Sequence, residues 1–265
     1  MQNSGLKVIS ASRRVDMVSC YPELLSKLLK EKTPPEKVHT LVLWTKNPEN
    51  ILNLEYLNKQ LKYYSQLYIH LSITGMGNTL LEPNIPDEEI VLGQIPELIK
   101  LVKSPVRIAV RFDPVVHLKI KGKIFSNLDK AEKIIGTASS LGIKKYITSW
   151  MSEYPKVLKN LEKFNISVEE VYEGTKSKEY HYLKNITDKY KSELQICSTE
   201  PFDISKCIDG LFFNKLHPEG GICSENRAKG QRNNCGCTES WDVGWYYPCP
   251  NGCIYCYANP KIKEG

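Results

Sequence analysis

The chain has no uninterrupted apolar run of about 18 residues, which excludes a membrane-spanning helix of ordinary length. Its first residues, Met1-Gln2-Asn3-Ser4-Gly5, lack the charged and apolar regions of a signal peptide, so a cytoplasmic protein is expected. No internal repeat is visible, and no linker rich in Gly, Pro or Ser divides the part before Asp203. Between Cys20 and Cys197 there is no cysteine at all. The others, Cys197, Cys207, Cys223, Cys235, Cys237, Cys249, Cys253 and Cys256, crowd the C-terminal part. In a reducing compartment such crowding argues for metal binding rather than disulfides. Histidine offers little help: His70 and His117 have no partner at metal spacing and read as core or surface residues.

The 265 residues are 41% apolar, enough for a real core, and carry a net charge of +6. Short runs rich in Val, Ile, Leu and Tyr recur at Lys7–Ala11, Thr40–Thr45, Leu67–Ile73, Val106–Arg111, Lys145–Ser149 and Leu194–Cys197, and predict buried strands. Helical periodicity fills the intervals at Pro22–Lys30, Pro48–Tyr64, Asp87–Lys103 and Asn127–Leu141, with a long Tyr-rich stretch over Ser167–Glu193. Such alternation predicts an α/β protein with parallel strands, a partial TIM-like (βα)6 barrel over residues 1–202. Element order alone also allows a doubly wound open sheet. Residues 203–265 lose periodicity and read as a cysteine-rich C-terminal extension, metal-organised and packed at the barrel mouth. Within it, Trp241–Tyr247 reads as one last strand.

In parallel βα proteins the site lies at the carboxyl ends of the strands. Polar residues collect there: Arg13, Arg14 and Asp16 after the first strand, Lys46 after the second, Thr74 after the third, Arg111 and Asp113 at the end of the fourth, and Glu200 after the sixth. The cations suit an anionic substrate, because guanidinium groups hold carboxylate or phosphate through paired hydrogen bonds. Salt bridges closing the barrel top would need the same residues. Asn47 before Pro48 can cap the following helix, and Asp113-Pro114 favours a turn.

The densest signal is Cys249-Pro-Asn-Gly-Cys253-Ile-Tyr-Cys256, a C-x3-C-x2-C motif. Three thiolates at this spacing can hold three irons of a [4Fe–4S] cluster and leave the fourth open for chemistry. Structural zinc is the competing use of close-set thiols. Cys207, Cys223, Cys235 and Cys237 remain for a second site, a further [4Fe–4S] cluster or zinc, with Cys197 as an alternative fourth ligand. Cys20 reads as a lone structural thiol.

The cluster segment resembles that of the radical S-adenosylmethionine (SAM) enzymes, spore photoproduct lyase among them. The resemblance implies a partial βα barrel, a [4Fe–4S] cluster on Cys249, Cys253 and Cys256, and SAM bound at the open iron with Tyr255 near its adenine. It also implies an electron donor such as ferredoxin or flavodoxin. Family members carry the motif after their first strand, whereas here it comes last. A circular permutation reconciles the two, with Trp241–Tyr247 as the family's first strand and Lys7–Ala11 as its second. Arg13, Arg14, Asp16, Lys46, Thr74, Arg111 and Asp113 are then the candidates for SAM or substrate contacts, although no Gly-Gly-Glu motif is present. The whole chain, from about residue 8 to about 260, is also similar to a family of uncharacterised bacterial and archaeal proteins. It shares Ser12-Arg13-Arg14-Val15-Asp16, Thr45-Lys46-Asn47-Pro48, Arg111-Phe112-Asp113-Pro114 and Cys249–Ala258 with them. No activity follows from that second resemblance.

A radical SAM enzyme of unknown substrate is therefore the leading expectation. The basic charge and the Lys/Tyr-rich stretch Tyr172–Lys191 support an alternative, a metal-stabilised nucleic-acid binding or repair protein. A non-catalytic iron–sulfur electron-transfer module is the third reading.

Overall fold

The computed structural model describes residues 5–202 and 205–263. Met1–Ser4, read above as lacking a leader's features, and the boundary expected at Asp203 lie outside the described residues.

All the predicted strand runs form strands, and they join one seven-stranded sheet with a strand from the C-terminal part. The strands are β1 (Lys7–Ala11), β2 (Val38–Thr45), β3 (Leu67–Ser72), β4 (Ile108–Val115), β7 (Lys145–Trp150), β9 (Glu193–Ile196) and β10 (Trp241–Asp242). Their order is β10-β1-β2-β3-β4-β7-β9, every pairing parallel. The order never reverses, as a doubly wound sheet requires. The sheet is also open: β10 and β9 are its edges and do not pair, so it is not a closed barrel.

Between the strands run α1 (Met17–Cys20), α2 (Pro22–Lys32), α3 (Glu49–Asn53), α4 (Glu55–Leu61), α5 (Glu88–Gly93), α6 (Ile95–Val102), α7 (Ala131–Ser140), α8 (Pro155–Glu162) and α9 (Glu173–Lys189). Two predicted helices are each broken in two, at Leu54 and at Gln94. Leu54 is extended, with ψ 102°, which ends the helical hydrogen bonding locally. A small antiparallel sheet that the periodicity did not reveal joins β5 (His117–Ile120), β6 (Lys123–Ser126) and β8 (Ile166–Val168).

Strand alternation sorts the core into two faces. Ile9, Leu41, Leu43, Ile69, Val110 and Phe112 pack toward the helices. Val8, Val42, Tyr68, Ala109 and Ile147 face the other way. That second face is covered by the cysteine-rich extension, through Cys207, Ile208, Phe213, Cys223, Cys235 and Cys237. The extension thus lies across the inner face of the sheet, not only at its mouth as expected. Carbonyls of the extension are captured by polar groups of the sheet: Gln66 Nε2 donates to Phe213 O (3.1 Å), and His70 Nε2 meets Cys207 O (2.7 Å).

The extension contains α10 (Gly210–Leu216), capped by Asp209, whose carboxylate accepts from the Phe212 N–H. A side chain at Gly210 would put its Cβ 2.3 Å from the carbonyl oxygen of Ser224, which is backbone and cannot swing aside. Gly210→Ala is therefore expected to destabilise the protein by about 2 kcal/mol. A urea midpoint equal to that of the unsubstituted chain would contradict this packing.

Candidate functional site

β10 is only two residues long, yet it fixes the whole terminal segment. Trp241 pairs with Ile9 and Asp242 with Ser10, in parallel. The Asp242 carboxylate then gathers Ser10 Oγ (3.1 Å), Ser12 Oγ (2.6 Å), Arg13 N (3.1 Å) and Gly244 N (3.0 Å). A short acceptor saturated by four donors holds β10 against the carboxyl end of β1. The backbone of Gly244 comes so close that a Cβ there would lie 2.3 Å from Ser12 Oγ.

From this anchor the chain runs into the C-x3-C-x2-C loop. Cys249 is strapped to the segment that follows: its N–H donates to Asn259 O (2.7 Å) and its carbonyl accepts from Lys261 N (2.8 Å). Gly252 takes the positive φ of 67° that the turn between the first two cysteines needs. The loop is tied to the segments that follow β1 and β3. Ile254 N donates to Leu81 O (3.1 Å), Asn84 Nδ2 to Pro250 O (2.8 Å), and Asn251 Nδ2 to Asp16 Oδ2 (3.4 Å).

Cys253 is buried, and Cys249 and Cys256 are half-buried. Burial pushes the Cys253 and Cys256 thiols up, and each feels the other thiols of the motif. The Ala258 N–H points at Cys256 Sγ (3.4 Å), a backbone donor placed to support a thiolate. Cys20 is not the isolated thiol expected from sequence. Its Sγ lies 3.9 Å from that of Cys249, and its hydrogen bond draws the Cys249 thiol down. Among the described residues no three His, Cys, Asp or Glu side chains converge as one metal ion requires. The loop offers three thiols as donors, with a fourth, Cys20, beside Cys249.

The predicted strand-end residues do come together, but largely by satisfying one another. Asp16 caps α1 through Ser19 N (2.9 Å) and also accepts from Lys46 N (2.8 Å) and Thr45 Oγ1 (3.0 Å). Lys46 reaches Glu82 Oε1 (2.7 Å) and the Tyr255 hydroxyl (3.0 Å). Thr74 Oγ1 donates to the same Glu82 oxygen (2.9 Å), and the Tyr255 hydroxyl donates to it as well. Burial works against the Lys46 ammonium, but the charge and hydrogen bond of Glu82, together with Cys253 and Asp113, outweigh it and push the lysine up. Burial and Glu82 together keep the Tyr255 phenol protonated. Arg111 is ion-paired with Asp113, donates to Cys207 Sγ (3.0 Å) and lies over the Trp44 ring (5.4 Å). Arg14 turns outward, bonded to Gly244 O (3.0 Å) and stacked near Trp245 (5.1 Å) and Tyr246 (5.7 Å). The Arg13 charge is felt by His70, alongside those of Arg111 and Lys145. Glu200 accepts from Asn234 Nδ2 (2.7 Å), on the extension side.

Sequence reading missed Glu82, Asp242, Asn251 and Trp44. Glu82 sits in the loop before α5 among several carboxylates, with no pattern to single it out. The predicted second thiol set is also revised. Cys223 bonds Asn214 Oδ1 (3.1 Å) and faces Glu225 and Asp209 rather than the other cysteines. Cys197, named as the alternative, stands beside Cys207 instead.

The pH behaviour of the site centres on Asp16. Burial pushes its carboxyl from 3.8 up to about 6, against the pull of its hydrogen-bond donors. The unfolded chain releases this proton first, so the group's contribution to stability falls as pH rises from 3.8 to about 6 and is constant above. Over that window the metal-free chain is expected to lose urea resistance relative to Asp16→Asn. A difference between the two that does not change with pH would refute the assignment.

What the fold and the site define is an α/β protein on an open, sequentially ordered parallel sheet, with a three-cysteine loop delivered to its strand ends by the last strand in the chain. The chain belongs to the family described as domain of unknown function (DUF1848), which it matches over residues 30–258. The match includes the whole C-x3-C-x2-C loop, Lys46, Thr74, Arg111 and Asp113; β1, Arg13, Arg14 and Asp16 precede it. No curated protein matches the chain. No helix among the described residues is long and apolar enough to cross a membrane.

Proposed function

We propose that this protein is a radical SAM enzyme whose barrel is circularly permuted. The observation that supports this reading is the placement of β10, parallel to β1 and running straight into the C-x3-C-x2-C loop. In space, though not in sequence, a strand followed by the cluster loop comes first, and the other strands follow in order. Seven sequential strands with this start are what a partial barrel of the radical SAM type would present.

The residues fit a [4Fe–4S] cluster with one open iron. Cys249, Cys253 and Cys256 would hold it; when bound, cluster and SAM supply one-electron cleavage of the sulfonium and a carbon radical that takes hydrogen from a substrate. The chain's own part is positioning and exclusion of water. Tyr255 is held by Lys46 and Glu82 beside Cys253, where the resemblance puts the adenine. Asp16 and Asn251 fasten the loop after β1 to the cluster loop. Lys46 and Arg111 are already neutralised by Glu82 and Asp113, which leaves Arg13 as the better bet for a ligand carboxylate. An anionic substrate and a reduced ferredoxin or flavodoxin are the partners this chemistry asks for.

The test is anaerobic purification with counts of iron, sulfide and zinc, followed by dithionite and SAM with an assay for 5′-deoxyadenosine. Cluster-dependent release of 5′-deoxyadenosine is expected. Stoichiometric zinc with no iron would end the proposal.

A further inference from the structure

One face of the sheet carries four more neighbouring thiols, three buried and Cys197 packed against them. Cys207 has Cys197 on one side and Cys237 on the other, and Cys235 adjoins Cys237. Three separate pieces of chain bring them together. Cys197 follows β9 and continues its ladder, with its N–H on Thr148 O (2.7 Å). Cys207 precedes α10, and Cys235-Gly236-Cys237 is pinned alongside by Gly236 N donating to Ser205 O (3.0 Å). All four are packed in the same apolar cluster on that face.

Donors point at two of these sulfurs, while the neighbouring thiols and burial push Cys197, Cys207 and Cys237 up and a hydrogen bond from Cys237 draws Cys235 down. Arg111, buried, donates to Cys207 Sγ at 3.0 Å. The Ile208 N–H points at Cys237 Sγ (3.5 Å). The Tyr68 hydroxyl is fully buried with no hydrogen-bond partner, and Cys207, Glu193 and Asp209 are the groups whose charge would act on it. Lys145, from the adjacent strand, is buried as well; its ammonium meets the Lys206 carbonyl (3.5 Å) and the Phe212 ring (5.1 Å), and it has no ion pair among the described residues. Arg111 and Lys145 are thus two buried cations on this face; Asp113 pairs with Arg111, and Glu193 lies opposite Lys145 on β9. A buried cation without a counter-charge is costly, and an anionic thiolate centre would balance it.

We propose that Cys197, Cys207, Cys235 and Cys237 are the ligands of a second iron–sulfur cluster, seated between the sheet and the extension. Four protein thiolates leave this cluster no open iron, so it transfers electrons or braces the extension rather than binding SAM. Cys223 is excluded from the ligand set. The site stands whether or not the terminal loop carries out SAM chemistry.

The decisive preparation is a Cys249→Ala/Cys253→Ala/Cys256→Ala variant, reconstituted anaerobically with ferrous iron and sulfide and then desalted. It is expected to keep about four irons and four sulfides per chain. Within this background Cys197→Ser removes them, whereas Cys223→Ser leaves them in place. In the otherwise unsubstituted chain the same two changes should give about four and about eight irons respectively, which keeps the test alive if the triple variant does not fold. An iron-free triple variant with native circular dichroism overturns the proposal. So does zinc in place of iron, or equal losses from Cys197→Ser and Cys223→Ser. If the terminal loop holds no cluster, the unsubstituted chain still carries about four irons, and Cys256→Ala does not change the count.

Discussion

Replacing Cys256 by Ala should remove about four irons per chain and bring SAM-dependent 5′-deoxyadenosine to background. Cys256 is the most informative of the three thiols. It is half-buried at the end of the loop, while Cys253 is packed among Met76, Leu81 and Ile254. Loss of Cys253 would mix a packing defect with the loss of a ligand. At Cys256 the sulfur's recorded partner is the Ala258 N–H, which is close enough to the surface to turn to water. The metal-free Cys256→Ala chain is accordingly expected to unfold at the same urea concentration as the metal-free parent. Persistent 5′-deoxyadenosine formation by this variant would contradict the ligand assignment.

Glu82→Ala should cost about 3 kcal/mol of stability even without metal. Glu82 is 1% exposed, and one of its oxygens receives the Lys46 ammonium, the Thr74 hydroxyl and the Tyr255 hydroxyl. Removing the carboxylate strands the ammonium of Lys46, whose side chain is only 18% exposed. The penalty comes from the partner left behind rather than from the lost attraction. Glu82→Gln should fall between parent and Ala, because it keeps the acceptor and loses the charge. A Lys46→Met/Glu82→Leu double variant should recover much of the loss, since neither charge is then stranded. Urea unfolding of the four chains decides it: a double variant weaker than Glu82→Ala would mean that the network holds the fold by shape rather than by charge balance.

Much of the fold was legible because parallel strands buried on both faces are near-continuous apolar runs. β2, with Val38, Leu41, Val42 and Leu43 all buried, is such a run. The small antiparallel sheet was not, because β5 and β6 are short and carry Lys119 and Lys123. The signal available was the turn itself: Lys121 and Gly122 both take positive φ, at 49° and 77°. Lys-Gly is a weaker cue for such a turn than Asn-Gly. In the site, the thiols could be found by spacing because local chain geometry sets which of them meet in Cys249–Cys256. The second group could not, since Cys197 and Cys237 come together only through tertiary packing. The cations at the strand ends were visible in the sequence, but it could not show that Lys46 and Arg111 already have carboxylates of their own. Glu82 could be seen only once β3 and the terminal loop were in space.

The two-residue strand β10 also sets when the protein can mature. Ribosomes deliver the chain from its N-terminus, so β1 to β9 emerge while the place beside β1 is still vacant. Until Trp241 and Asp242 arrive, β1 is a bare border with unpaired amide groups, prone to join another chain. The three thiols of the terminal loop and the neighbour of β1 thus arrive together in the same late stretch of polypeptide. A nascent chain stalled before residue 241 is expected to be more inclined to aggregate than one released after it.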